Sequence, residues 1–196
     1  MHGGFSGFLA KSLEELAFLK AQDACKNMET RLNYNLYVYN REAKQFFLEQ
    51  GYSHFTAPAE LNAEELEMIG IEDCDFLMYG RLPLMVSAQC LRDNLLTCTQ
   101  GKAMGGLVIT DRMGAEFPVQ QVCTSCYNII YNSVCFSLLG RQEEVRKLHP
   151  RAYRLDFTLE SCEETRRVLS AFLAKEVLSA SAGEVYTKGH WKRGID

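Results

Sequence analysis

The first eighty residues alternate strand-like and helix-like stretches with short connections, and that alternation limits the chain to few folds. Gly7-Phe8-Leu9-Ala10 reads as a short apolar strand. Ser12 follows as a helix cap, with Glu15 at capping-box spacing and Leu13, Leu16, Ala17 and Leu19 on one face. Leu32 to Tyr39 is aromatic and β-branched, as a strand would be. Asn40 is placed to cap a helix over Arg41 to Gln50, which Gly51 stops. Ser53 to Leu61 supplies a strand and turn, Asn62 caps Ala63 to Ile69, Gly70 ends that helix, and Asp75 to Tyr79 is a buried strand. A β-α-β-α-β-α-β series implies parallel strands joined by right-handed crossovers. The fold class expected is α/β. The spacing matches about four units of a (β/α) barrel, where a closed barrel needs eight. Periodicity alone leaves a partial barrel and a small open sheet as alternatives.

The pattern changes after Tyr79. Gly105 to Thr110 and Glu116 to Val119 flank Asp111-Arg112-Met113-Gly114, as in a β-hairpin. A helix over Gln142 to Leu148 stops at His149-Pro150, Tyr153 to Leu159 reads as a strand, and Glu160 or Ser161 opens a helix running to about Leu178. The expected organisation is a barrel portion over 1–89 and a cysteine-bearing hairpin with an α/β extension over 90–196. With 47% hydrophobic residues in 196, there is enough apolar side chain for a core. A net charge of −4 gives no bulk electrostatic argument for nucleic acid. No apolar run approaches the roughly 20 residues of a membrane helix, and the N-terminus lacks a signal-peptide pattern, so a cytoplasmic location without membrane attachment is expected.

Eight cysteines are many for such a chain. In a reducing compartment, clustered cysteines bind metal or carry redox chemistry more often than they form disulfides. Cys123-Thr-Ser-Cys126 can present two thiolates to one metal from a tight turn, and Cys90 with Cys98 forms a looser second pair. Four thiolates suit an iron–sulfur cluster or tetrahedral zinc. A redox dithiol and unligated cysteines are the competing readings. Cys25, Cys74 and Cys135 read as small core residues; Cys162, at a helix start, is a candidate reactive thiol.

The segments YGRLPLMVSAQC (Tyr79 to Cys90), DRMGAEFPV, YNSVCFSLLG and YTKGHWKRG, in that order, resemble the peptidase U-32 (collagenase-like) family. LEELAFLK and NLYVYNREAKQFF are similar to it too. The resemblance implies a (β/α)8 barrel with a cysteine-bearing extension, this chain starting at about the fifth strand. An N-terminal half-barrel partner or a homodimer would then complete it. Asp75 and Gly80 match the acid and glycine of the family signature, and Cys90 and Cys98 match two of its cysteines. Leu77 replaces the aromatic, Pro83 the first cysteine and Ala88 a glycine, and Ser137 stands near the last cysteine position. Cys123 and Cys126 are then candidates to replace the missing pair.

Family members carry a peptidase label, some with links to collagen degradation. The sequence has no G-x-S-x-G or H-E-x-x-H motif; His2, His54, His149 and His190 are isolated, and Cys162 with His190 lacks a local signature. Other members are implied to hold a 4Fe–4S cluster and to act in hydroxylation of RNA bases or ubiquinone precursors, with prephenate as a helper metabolite. The favoured expectation is a cysteine-ligated iron–sulfur or metal enzyme, or enzyme half, acting in hydroxylation of RNA or a related substrate. The alternatives are peptide hydrolysis and an inactive truncated module. Glu60 and Arg81, at strand ends, are candidates to orient an anionic substrate or to form a structural ion pair. Lys188, His190, Trp191, Lys192 and Arg193 are candidates for RNA contact, or for a tail docked on the barrel.

Overall fold

The computed structural model describes residues 4–25, 27–91, 93, 106–178 and 185–193. The chain is mixed α/β, with a mostly parallel sheet and a separate antiparallel sheet. The parallel series begins with β1 (Gly7–Ala10), α1 (Leu13–Ala21), β2 (Glu29–Leu32), α2 (Arg41–Glu49), β3 (Phe55–Thr56), α3 (Ala63–Ile69) and β4 (Cys74–Gly80). It resumes after an insertion with β9 (Cys135–Ser137), α4 (Gln142–Arg146), β10 (Ala152–Asp156), α5 (Cys162–Ala174) and β11 (Tyr186–Thr187). The inserted strands β5 (Pro83–Ser87), β6 (Leu107–Thr110), β7 (Glu116–Val122) and β8 (Tyr127–Tyr131) form the second sheet, in the order β5-β8-β7-β6.

Register fixes the first sheet. Asp75 of β4 faces Thr56 of β3 and Ala152 of β10, so those two parallel neighbours lie on opposite edges of β4. Tyr79 and Gly80 pair with both β10 and the antiparallel β9, which puts β9 beyond β3 on the same edge. The parallel strands therefore run β1-β2-β3-β4-β10, in chain order, with β9 and β11 at the carboxyl end. Gly80 is required where β4 meets β10: a Cβ there would lie 2.9 Å from Asp156 Cβ and 3.2 Å from its carbonyl oxygen.

The two faces of this sheet differ. Phe55, Cys74, Phe76 and Tyr153 share one face by register. That face is covered by helices and the C-terminal turn: Phe172 of α5 packs on Tyr153 (5.9 Å between rings), Trp191 on Phe76 (5.6 Å), and Lys44 of α2 lies over Phe55. The opposite face carries Arg31, Thr56, Asp75, Leu77 and Arg154. Arg31 and Arg151 pair with Asp75 at 3.2 and 3.0 Å. Arg154 makes a two-pronged pair with Asp156 (2.6 and 2.7 Å) and reaches Asn33 Oδ1 (2.7 Å) beyond the end of β2.

Helix starts follow their side-chain caps. Asn62 and Ser161 form reciprocal capping boxes with Glu65 and Glu164, and Asn40 accepts from Ala43 N. Ser12 caps α1, but Glu15 reaches back to Lys11 N rather than to Ser12. The stretch from Leu32 to Tyr39, expected as a strand, leaves the sheet at Leu32. Asn33 is 2% exposed and spends its side chain on Asn35 and Arg154, a 3₁₀ turn spans Tyr34–Leu36, and Tyr37 is left-handed (φ 52°). Polar side chains that bond locally compete in this way with a ladder. In the next stretch, Phe55–Thr56 alone forms β3, ahead of Pro58. Among the described residues no helix is long and apolar enough to cross a membrane.

Candidate functional site

The cysteine end is built on the antiparallel sheet. Cys123 to Cys126 is the turn joining β7 to β8, with Val122 paired to Tyr127 at its base. Cys126 adopts the left-handed conformation (φ 54°), and its thiol lies 3.8 Å from the Cys123 carbonyl oxygen. Both residues are exposed. β5 runs antiparallel to β8 with Ser87 opposite Asn128, so β5 ends at the same edge of the sheet as the turn. Cys90 follows three residues later and is half-buried. Asn128, fully buried, ties the two together: its Nδ2 donates to the Gln89 carbonyl (2.7 Å), while its Oδ1 has no partner among the described residues. Topology thus brings Cys90, Cys123 and Cys126 to one end of one sheet.

Cys98 lies outside the described residues. Among the described residues no group of three or more His, Cys, Asp or Glu is positioned to hold a metal ion. Two thiols stand on an exposed tight turn and a third lies three residues past the end of the adjoining strand; thiolates are the donors that thiophilic ions and iron–sulfur clusters take. Cys74 and Cys135, by contrast, are buried core residues whose thiols burial pushes up. Cys25 is half-buried and Cys162 is exposed at the first position of α5.

A second cluster occupies the carboxyl ends of the parallel strands. Tyr34 follows β2, Tyr79 lies in β4, Tyr131 ends β8, Arg154 and Asp156 lie in β10, and Glu160 precedes α5. The Tyr79 hydroxyl donates to Glu160 Oε1 (3.1 Å) and that of Tyr131 to Gln120 Oε1 (2.6 Å). Burial, then the Asp156 carboxylate, pushes the Tyr34 phenol up to about 12, against the opposing Arg154 charge. Burial and the Glu60 carboxylate raise Tyr39; burial, the Cys135 thiol and Glu160 raise Tyr79; burial with Glu160 and Asp156 raises Tyr131. The result is a set of neutral phenols beside Glu60, Asp156 and Glu160, in which Tyr79, Tyr131, Asp156 and Glu160 are bonded to protein partners.

Glu60 lies in the turn between β3 and α3, and Arg81 directly follows β4. Glu60 lies beside Tyr39, and its Oε2 is buried with no hydrogen-bond partner among the described residues. Arg81 Nη1 donates to the Asn132 and Ser133 carbonyls (2.9 and 3.0 Å). His54 lies at the opposite end of the strands with Glu29, Arg151 and Asp75, where charged groups tie strand starts together. In the C-terminal segment Lys188, His190 and Arg193 are exposed. Trp191 is different: it is 7% exposed, packed on Phe76, with Nε1 3.4 Å from Glu144 Oε2. Its indole belongs to the core and fastens the tail to the sheet.

The tyrosine and carboxylate cluster has no local motif in the sequence. Its members are spread over five segments, and only the early end of β2 and the late return of β10 bring them together. Comparison with protein-family models, with curated proteins and with solved structures found no match to this chain.

Proposed function

We propose that the chain is a peptidase U-32-related protein whose cysteine end holds an iron–sulfur cluster, or zinc in its place, and which acts in hydroxylation of RNA or a related substrate. The observation that carries this reading is the shared sheet end of Cys90, Cys123 and Cys126. Cys90, Cys98, Cys123 and Cys126 are the proposed ligands. A bound cluster would supply one-electron chemistry. Of the chain's own residues, the Tyr34 phenol and Glu60 Oε2 would bind and orient a substrate, while Tyr79, Tyr131, Asp156 and Glu160, bonded to Glu160, Gln120, Arg154 and backbone N–H groups, hold the frame around them.

A partial (β/α) barrel is the architecture this reading takes. Sequential parallel order β1-β2-β3-β4-β10 and a helix-covered face opposite a polar face support it. So does the Arg154–Asn33 bond. Those residues lie on strands three spacings apart, about 14 Å in a flat sheet, and curvature brings them into reach. Among the described residues the outer strands β1 and β10 have no further strand neighbour, which favours completion by a half-barrel partner or a second copy. Within this reading the protein works in the cytoplasm.

Nucleoside mass spectrometry of RNA from cells with and without the protein tests the proposal. Loss of a nucleoside one oxygen heavier than its parent is expected, restored by the wild type but not by Cys90→Ala. An unchanged nucleoside profile, with casein or collagen cleaved by the pure protein and inhibited by chelators, would replace it with peptide hydrolysis.

A further inference from the structure

A cavity of about 390 Å³ opens at the amino ends of β2 and β3, and Cys25, Met28 and His54 all line it. We propose that these three side chains bind one soft monovalent metal ion, Cu(I), through thiolate, thioether and imidazole. Cys25 ends a 3₁₀ turn over Asp23–Cys25, and Met28 N donates to the Cys25 carbonyl (3.0 Å), so the two sulfur residues stand at either end of one tight turn. Both are half-buried. His54 comes from the segment just before β3. Its Nδ1 lies 2.8 Å from Glu29 Oε1 and 2.5 Å from Arg151 Nη1, while its Nε2 makes no hydrogen bond to a described residue.

A metal-bound imidazole is held in one tautomer by a partner on its other nitrogen, and Glu29 is placed to do this for His54. With the proton on Nδ1 and donated to Glu29, Nε2 keeps its lone pair for the ion. Arg151 gives up its contact to Nδ1 in that tautomer and keeps its pair with Asp75 (3.0 Å). Thiolate and thioether sulfur select Cu(I) over hard cations, and imidazole completes a set of three. Charge favours a monovalent ion. The Cys25 proton leaves to solvent, and one thiolate with one monovalent cation sums to zero, so neither Lys20 on the cavity wall nor Arg151 beside His54 repels the loaded site. A divalent ion would leave a positive charge beside both. None of the three ligands belongs to the set Cys90, Cys98, Cys123 and Cys126, so the inference stands apart from the cysteine end.

NMR of the full chain labelled at the methionine methyl groups, titrated anaerobically with silver nitrate as the redox-stable probe for Cu(I), tests it. The chain has seven methionines, and Met28→Leu assigns the signal of interest. Thiols elsewhere take up silver too, but the Met28 methyl reports the thioether donor of this cavity. Its signal is expected to move and then reach a plateau as silver is added. The movement is lost in Cys25→Ser, and in His54→Gln it needs several-fold more silver. The other methyl signals, unchanged before silver is added, show that each variant is folded. A Met28 methyl that stays in place once silver exceeds the eight cysteines overturns the proposal, as does a response unchanged in either variant.

Discussion

Replacing Trp191 by Ala removes the ring that fastens the C-terminal turn to the helix-covered face of the sheet. An indole of this kind buries roughly 150–250 Å². At about 25 cal/mol per Å² that is about 4–6 kcal/mol, an upper bound because the unfolded chain already covers part of its apolar surface. Aromatic truncations in cores cost about 3–5 kcal/mol, which agrees. The Nε1 bond to Glu144 is long, at 3.4 Å, and contributes less than about 1 kcal/mol of this. For a chain of 196 residues the loss lowers Tm by about 6–20 °C. Trp191 is the sole tryptophan, so its fluorescence reports directly on docking. Native emission is expected to be that of a buried indole, shifting red on unfolding in step with circular dichroism. Trp191→Phe retains most of the stability. A cost below about 0.5 kcal/mol for Trp191→Ala, the level of a surface change, or native emission typical of a solvated indole, would refute the docking.

Asp75→Asn leaves Arg31 and Arg151 without their shared carboxylate and is expected to cost about 2–3 kcal/mol in urea unfolding. Gly140→Ala combines a left-handed φ of 83° with a Cβ 2.8 Å from Val177 N; a loss above about 1–2 kcal/mol, from conformation alone, is expected by thermal melting. In iodoacetamide labelling near pH 8, exposed Cys162 reacts in the native protein, whereas Cys74 and Cys135 react only after unfolding, because burial holds their thiols neutral. The raised phenols of Tyr34, Tyr39, Tyr79 and Tyr131 give stability that is intact below pH about 10, where unfolded tyrosine ionises. It falls as pH rises toward about 12, where folded Tyr34 titrates, since the unfolded chain gives up its protons first. Alkaline unfolding followed by tyrosinate absorbance checks this, and a melting temperature flat across that interval contradicts it.

Helix starts were legible because Asn40, Asn62 and Ser161 are strong local caps whose effect does not depend on distant contacts. β4 was legible from its run of apolar residues Phe76 to Tyr79, as suits a strand buried on both faces; the buried Asp75 at its start is held by Arg31 and Arg151. The turn at Cys123-Thr-Ser-Cys126 was recognisable as a two-thiol unit, but the approach of Cys90 to it depends on the pairing of β5 with β8, which is set by long-range register. The end of β2 was hidden because Tyr34, Leu36 and Val38 look strand-like. The decisive contact, Asn33 with Arg154, joins residues 121 apart in the chain. Trp191 sits among Lys188, Lys192 and Arg193, so its neighbours suggest a solvated tail while its ring is in the core.

Metal and acid-labile sulfide analysis of the anaerobically purified full chain tests the proposed cysteine site most directly, comparing wild type with Cys90→Ala and Cys123→Ala. About four iron and four sulfide per chain, or about one zinc without sulfide, is expected for the wild type, with a several-fold drop in both variants. A wild-type protein with every thiol reduced and neither iron nor zinc bound would contradict it, as would metal content unchanged by either substitution.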